Sequence, residues 1–314
     1  MKLFYSLICV SFFTISCKEA IKNDVKFVAE QSFEEIQFVE PKVSNSLVVN
    51  SKEDLLGYWV GDFKADISEE KEDSIYQENN YNLLNRKITF SIDEIKGDSI
   101  FGHSITAGNI SLFKGVISQN ESKFVIKADE FKKSKYDGLF EMNIIMNDSL
   151  LIGNWKAYNP KELKVATRKY SLQKKMFKYN PNNKVDEIFI NDDKFKTSKY
   201  KDTIDGEAFE SEFEEYFTNT EKLYEKNASN EELAIDFVSN LSKADIFILR
   251  NSIFARHGFA FRDKQLRIYF EQFDWYMPVF GDVKDELTEV EKKNIDLLLR
   301  YEQNAEEYYD TFGR

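Results

Sequence analysis

The sequence predicts a multi-domain α+β protein, in which an N-terminal antiparallel β-barrel or sandwich is followed by a small all-α C-terminal domain. Residues from about 55 to 179 form short runs of alternating apolar and polar side chains, which is typical of strands with one buried face. After residue 240, apolar side chains instead recur at helical spacing, with helix start and stop signals around each run. The chain of 314 residues is long enough for two such domains.

The β-domain is predicted for residues 51–180. Turn sequences such as Lys-Gly-Asp at 96–98 and Asn-Asp-Ser at 147–149 separate its runs as hairpin turns do. No helical pattern long enough for a parallel crossover interrupts them, which favours antiparallel pairing in a barrel or a sandwich. The eight runs are LLGYWVGDF, RKITFSIDEI, DSIFGHSI, NISLFKGVIS, SKFVIKADEF, LFEMNIIM, SLLIGNWKAY and RKYSLQKKMF.

The tripeptide GYW at 57–59 resembles the Gly-x-Trp motif of lipocalin-like barrels. In those barrels a basic side chain of the last strand packs over the tryptophan, so the resemblance implies this position for Arg168. A second tripeptide of this form, GNW at 153–155, makes the motif less specific. The mouth of a barrel could hold an apolar ligand, whereas the 28 phenylalanine and 16 tyrosine residues of the chain could fill the interior completely.

Residues 1–16 have the composition of a signal peptide, with Lys2 followed by an apolar stretch too short to span a bilayer. The sequence Thr-Ile-Ser-Cys that ends at Cys17 resembles the bacterial lipobox, although Thr14 stands where leucine is usual. This resemblance implies cleavage before Cys17 and acylation of its thiol. We therefore expect a lipid-anchored protein of the cell envelope, on the outer membrane, with residues 17–50 as a lipidated tether.

The composition disfavours several classes of ligand. The net charge of −12 disfavours nucleic-acid binding, because nucleic acids attract positively charged surfaces. The only two histidines lie in different predicted domains, and Cys9 belongs to the signal peptide, so the residues of a zinc site are missing. No nucleotide-binding glycine motif or hydrolase motif is present, and we expect no cofactor and no metal.

The segment 181–240 is predicted to be an acidic helical linker. Residues 201–236 contain far more acidic than basic side chains, and Phe209, Phe213, Phe217 and Tyr224 recur at helical spacing. These positions predict an amphipathic helix with its acidic side in water.

The C-terminal domain, predicted for residues 241–314, contains three capped helices. Ser242 and Asp245 have the spacing of a capping box, and Gly258 stands where a left-handed C-terminal residue is needed. Asp263 begins the second helix, and Thr288 begins the third with another capping box.

The first of these helices has polar residues within its apolar stripe. Ile246, Leu249 and Ile253 define a face that must be buried, and Arg250 and His257 fall in the middle of it. A buried guanidinium needs a carboxylate or backbone carbonyls, so we expect Arg250 and His257 to belong to a structural network. Arg256 lies at the edge of the stripe and is predicted to reach the surface.

The run RNSIFARHGFAF, followed by LRIYF, DWYMP and EKKNIDLLLRYE, resembles the YARHG domain, a small bacterial extracytoplasmic module, over residues 240–303. The motif residues are Arg250, Asn251, Phe254 and Gly258, with Phe254 replacing the signature tyrosine. The resemblance implies an accessory domain without established chemistry. No catalytic residue can be transferred from it.

We expect a non-catalytic envelope lipoprotein that binds a cell-wall, glycan, peptide or protein partner through both domains. The candidate binding residues are Arg256, His257, Trp275 and Tyr276. Loop aromatics can form a recognition platform, but for Trp275 and Tyr276 we favour the alternative that they fill the small core left open by three short helices. Two alternatives remain. One is a hydrolase in which His257 is the general base and Arg250 or Arg256 holds an anion. The other is a barrel that holds a hydrophobic ligand.

Overall fold

Eight consecutive antiparallel strands form a closed barrel. The computed structural model describes residues 46–303, apart from positions 121, 132–133 and 205–206, and also residue 305. The predicted signal peptide, Cys17 and most of the predicted tether lie outside the described residues. The strands are β1 (Gly57–Ala65), β2 (Lys87–Lys96), β3 (Ser99–Thr106), β4 (Asn109–Gln119), β5 (Lys123–Glu130), β6 (Gly138–Ile145), β7 (Leu150–Ala157) and β8 (Thr167–Lys175).

Each of the eight predicted runs overlaps one of these strands, and pairing of β8 with β1 closes the sheet. The barrel alternative is therefore confirmed over the open sandwich. A nine-residue helix, α1 (Glu69–Gln77), lies between β1 and β2 and was not predicted. Ile75 is its one buried residue, so the sequence has no apolar stripe that would indicate a helix.

Large side chains fill the interior of the barrel. The rings of Phe90 and Phe113 stack with their centroids 4.2 Å apart, and the Phe140 ring meets Phe90 edge-on at 5.2 Å. Trp59 and Phe124 are completely buried in the same cluster. This packing favours the filled core over a lumen that holds an apolar ligand.

The basic neighbour of Trp59 is Lys174, so the prediction for Arg168 was wrong. The Lys174 Nζ lies 5.8 Å from the centre of the Trp59 ring, whereas the Arg168 guanidinium lies 5.0 Å from the ring of Phe63. The β1–β8 register is the reason, because it pairs Trp59 directly with Lys174, at the opposite end of β8 from Arg168.

Residues 190–204 and 207–218 pair as the two strands of a long antiparallel hairpin, so the acidic helical linker predicted at 181–240 is wrong over this part. Its strands are β9 (Ile190–Ile204) and β10 (Glu207–Thr218). Phe209 and Phe213 are four residues apart, and this spacing places two side chains on one face of a strand as well as on one face of a helix. Lysines of β9 also pair with glutamates of β10 across the hairpin, for example Lys199 with Glu212 at 2.7 Å.

The C-terminal part is helical, as predicted. The capping boxes predicted at Ser242 with Asp245 and at Thr288 with Glu291 form, and Asp263 caps the helix after Gly258. None of the helices in the described part of the chain has the length and apolar composition needed to span a bilayer. The helices are α2 (Ile235–Val238), α3 (Lys243–Arg256), α4 (Lys264–Phe270) and α5 (Glu289–Glu302).

The loop between α4 and α5 packs on the outer face of the barrel. Tyr58 and Val60 of β1 form an apolar cluster with Met277 and Val279 of the loop. Lys87 of β2 donates through Nζ to two backbone carbonyls of the loop, at 2.9 and 3.1 Å. The barrel and the helical part accordingly belong to one compact unit.

Candidate functional site

Polar side chains from three parts of the chain meet at the end of α3 and form a cluster that we call the α3 polar network: Tyr179, Arg256, His257 and Glu291. All except the half-buried Tyr179 are buried. His257 is the C-cap residue of α3 and is buried, as predicted. Its Nε2 lies 2.8 Å from one carboxylate oxygen of Glu291. The Tyr179 ring stacks on the imidazole with centroids 4.2 Å apart, and the Tyr179 hydroxyl donates to the other carboxylate oxygen at 3.0 Å. Both oxygens of Glu291 are therefore bound to side chains of the network.

Glu291 is completely buried and also belongs to the capping box of α5, where it accepts the backbone N–H of Thr288 at 2.9 Å. Burial by itself would raise the pKa of this carboxyl. Hydrogen bonds from His257, from the Thr288 backbone and from Ser229 outweigh burial and hold the pKa below its ordinary value. The ionised carboxylate thus joins the end of α3 to the start of α5.

Arg256 is only 2% exposed, which corrects the prediction that it reaches the surface. Its Nε donates to the carbonyl of Asn183 at 2.9 Å, and its Nη1 donates to the hydroxyls of Ser252 and Ser229 at 2.9 and 3.2 Å. Burial lowers the pKa of Arg256 to about 10, so the guanidinium remains charged at neutral pH. Helical periodicity could not show this position, because the covering residues Asn183 and Ser229 come from outside the helix.

Arg250 binds the far end of α5. Its Nε and Nη2 donate to the two oxygens of Glu302, both at 3.1 Å, at a partly exposed position. His257 holds the first turn of α5 and Arg250 holds its last residue, so two carboxylate contacts fix α5 along α3. Asn251 donates to the carbonyl of Phe247 at 2.8 Å within α3, and the ring of Phe254 lies on the core cluster.

Gly258 ends α3 with a φ of +76°, as its predicted left-handed position requires. A Cβ at this position would lie 2.7 Å from a ring carbon of Phe177 and 2.8 Å from a methyl carbon of Val279. The glycine is needed both for its backbone conformation and for the close approach of these side chains.

Trp275 and Tyr276 are held by the core, as the core-filling interpretation expects and the recognition platform does not. Tyr276 is buried and donates its hydroxyl to the carbonyl of Phe259 at 2.7 Å. Trp275 stacks on Phe273 with centroids 5.4 Å apart and donates its indole N–H to the carbonyl of Lys184 at 2.9 Å. Of the candidate binding residues, Arg256, His257 and Tyr276 are buried, and Trp275 is partly buried.

Sequence reasoning missed a buried carboxyl inside the barrel. Glu130 accepts hydrogen bonds from the Ser104 hydroxyl at 2.8 Å, from the Gly138 backbone at 2.7 Å and from the Trp155 indole at 3.1 Å. Burial raises the pKa of Glu130 to about 7. The alternating pattern of β5 could have predicted this burial. Glu130 lies two residues after Ala128, and such residues share one face of a strand, here the buried face.

A second missed feature is an exposed set of aromatic side chains on the β9–β10 hairpin. Tyr200, Phe209 and Phe213 are 47%, 40% and 44% exposed, respectively. The alternating pattern of the strands could have revealed them if the segment had been interpreted as β-structure.

Residues 220–303 match the family model of the YARHG domain. The match begins before the boundary predicted at residue 241, and the structure gives a physical reason. Thr220 donates through its backbone N–H and its hydroxyl to the carboxylate of Asp245 in α3, at 2.6 and 2.9 Å. No curated protein and no solved structure matches the chain.

Within the ranges that the structure describes, no group of three or more histidine, cysteine, aspartate or glutamate residues is placed to hold a metal ion. The YARHG domain and the barrel are consistent with a non-catalytic binding role.

Proposed function

We propose that this protein is a non-catalytic lipoprotein of the cell envelope, anchored in the outer membrane through acylated Cys17. Its barrel and YARHG domain bind a cell-wall, glycan, peptide or protein partner outside the cytoplasm. The observation that supports this proposal best is the burial of the α3 polar network, in which Arg256, His257 and Glu291 are held by protein groups. Buried side chains whose hydrogen bonds all go to protein groups stabilise the fold of the domain, and a binding surface then lies elsewhere on it.

The same geometry disfavours the hydrolase alternative. A general base must come within hydrogen-bond reach of a substrate proton. The Nε2 of His257 instead faces Glu291, and the Tyr179 ring covers one side of the imidazole. Arg250, which would hold the anion, instead donates hydrogen bonds from its Nε and Nη2 to the carboxylate of Glu302. The filled barrel likewise disfavours the ligand-carrier alternative.

Binding and catalysis can be distinguished by the state of the recovered ligand. The full chain with Cys17→Ala would be incubated with peptidoglycan fragments, envelope glycans and envelope peptides, and the retained material would be identified by mass spectrometry. We expect one of these classes to be retained and recovered unchanged. Recovery of a cleaved product, lost on His257→Gln, would support the hydrolase, and retention of none of the three classes would contradict the binding proposal.

The anchor has a separate test. We expect the wild-type protein in the membrane fraction of the cells and the Cys17→Ala variant in the soluble fraction, because the acyl chains provide the membrane affinity. Cys9→Ala is the matched control, since it removes a thiol from the predicted signal peptide and should leave the protein in the membrane fraction. Retention of the Cys17→Ala variant in membranes would refute the lipoprotein proposal.

A further inference from the structure

The β9–β10 hairpin presents two different faces to solvent. On one face, lysines of β9 form cross-strand ion pairs with glutamates of β10, Lys199 with Glu212 and Lys201 with Glu210. The register places Tyr200, Phe209 and Phe213 on the opposite face, whereas Phe195 and Tyr216 lie on the face with the ion pairs. We call this opposite side the aromatic face, and its residues are Lys196, Ser198, Tyr200, Asp202, Phe209, Ser211, Phe213 and Glu215.

Large and small side chains alternate across the aromatic face. Tyr200 is paired with Ser211, and Phe213 is paired with Ser198, while Phe209 lies opposite an aspartate. Each ring therefore stands beside a small or short side chain of the other strand and does not cover a second ring. The aromatic residue of the first of these pairs, Tyr200, is on β9, and that of the next pair, Phe213, is on β10. This arrangement leaves a staggered row of projections and recesses.

We propose that a second copy of this chain packs on the aromatic face, with a two-fold axis along the hairpin. Rotation about this axis brings the two aromatic faces together and leaves the strands of both copies running in the same direction. The β9 strand of each copy then lies over the β10 strand of the other. Tyr200 then meets the second copy's Ser211, and Phe213 meets the second copy's Ser198. The projections of one copy fill the recesses of the other, as an isologous interface requires.

The charges of the hairpin favour a dimer in which the aromatic faces of two copies pack together. They disfavour a dimer in which the edge strands of two copies pair. At the base of the aromatic face Lys196 lies opposite Glu215, so the proposed two-fold axis places each beside its opposite charge in the other copy. Edge-to-edge pairing of two β9 strands would oppose lysines, and pairing of two β10 strands would oppose glutamates. The aromatic face is thus the surface on which two identical hairpins are compatible.

The size of the face sets the expected affinity. Its four residue pairs extend about 20 Å along the strands and about 10 Å across them, so two copies would bury on the order of 800 Å² in total. Interfaces of this size are usually weak, and we expect a dissociation constant of about 100 µM.

Sedimentation equilibrium tests the proposal on the full chain with Cys17→Ala, at concentrations from about 10 µM to about 1 mM around the expected dissociation constant. We expect the mean mass to rise towards that of a dimer. Adding Tyr200→Ser and Phe213→Ser should lower the association constant at least tenfold. The matched control is Phe195→Ser with Tyr216→Ser, which removes two half-exposed rings from the opposite face and should leave association unchanged.

Three outcomes would overturn the proposal. The first is a monomer at every concentration, and the second is a Tyr200→Ser, Phe213→Ser variant that associates like its parent. In the third, the control variant loses association as strongly as the aromatic-face variant. If the parent is monomeric and its aromatic face is instead needed to retain a glycan or a peptide, the face serves that ligand and self-association is rejected. Circular dichroism of each variant would establish that the fold is retained.

Discussion

Replacing Glu291 with alanine should lower the free energy of unfolding by about 3–5 kcal/mol, because it leaves hydrogen-bonding groups without their partner and removes a helix cap. The substitution leaves His257 and the Tyr179 hydroxyl without their acceptor and deletes the capping box of α5. It therefore breaks the contact that joins the end of α3 to the start of α5. Urea denaturation of the Cys17→Ala chain, with and without Glu291→Ala, measures the effect.

Glu289→Ala is the matched control, since Glu289 lies in the same helical turn at the surface and pairs with Lys292 there. It should change stability little. Acid should reproduce the effect of the Glu291 substitution. The pKa of Glu291 is below its unfolded value of about 4.5, so its contribution to stability is complete above that pH and is lost as the pH falls through the folded pKa. Equal effects of the two alanine substitutions would show that the α3 polar network does not stabilise the domain.

Replacing Glu130 with glutamine should stabilise the protein at pH 8 by about 3 kcal/mol and have little effect at pH 4. Burial raises the pKa of Glu130 from 4.5 to about 7, so the folded state favours the protonated acid. Its contribution is complete below pH 4.5 and is lost as the pH rises through about 7. Glutamine can keep the hydrogen bonds, because its carbonyl accepts from Gly138 and Trp155 while its amide donates to the Ser104 hydroxyl.

The pH dependence is measured by urea denaturation of both forms between pH 4 and pH 8. Glu141→Gln, at an exposed position of the neighbouring strand, is the control and should leave the pH profile unchanged. Parallel profiles for the wild-type protein and the Glu130→Gln variant would mean that Glu130 titrates at its ordinary pKa, and that burial in the barrel does not control it.

The elements that were predicted correctly depend on neighbouring residues. A strand with one buried face needs alternation over a few residues, and most runs of the barrel have it, although β1 buries four consecutive residues. A capping box needs two residues three positions apart, and the pairs at Ser242 and Thr288 both formed. Gly258 likewise ends its helix because of its own backbone preference.

The hairpin was predicted wrongly because one spacing is compatible with two structures. Phe209 and Phe213 share a face in a strand and in a helix alike. The lysines of β9 distinguish the two structures. Most of them precede the acidic segment, and they lie beside its glutamates only when β9 pairs with β10. A prediction from the acidic segment alone could not include this partner.

Local patterns were therefore sufficient for the antiparallel strands, the three capped helices and the inward position of His257. The tertiary structure alone decided that the sheet closes into a barrel, that Lys174 and not Arg168 lies over Trp59, and that Arg256 is buried. The physical reason is the same in each case. Periodicity describes one element, whereas burial and pairing depend on which distant segment covers it, such as Asn183 and Ser229 over Arg256.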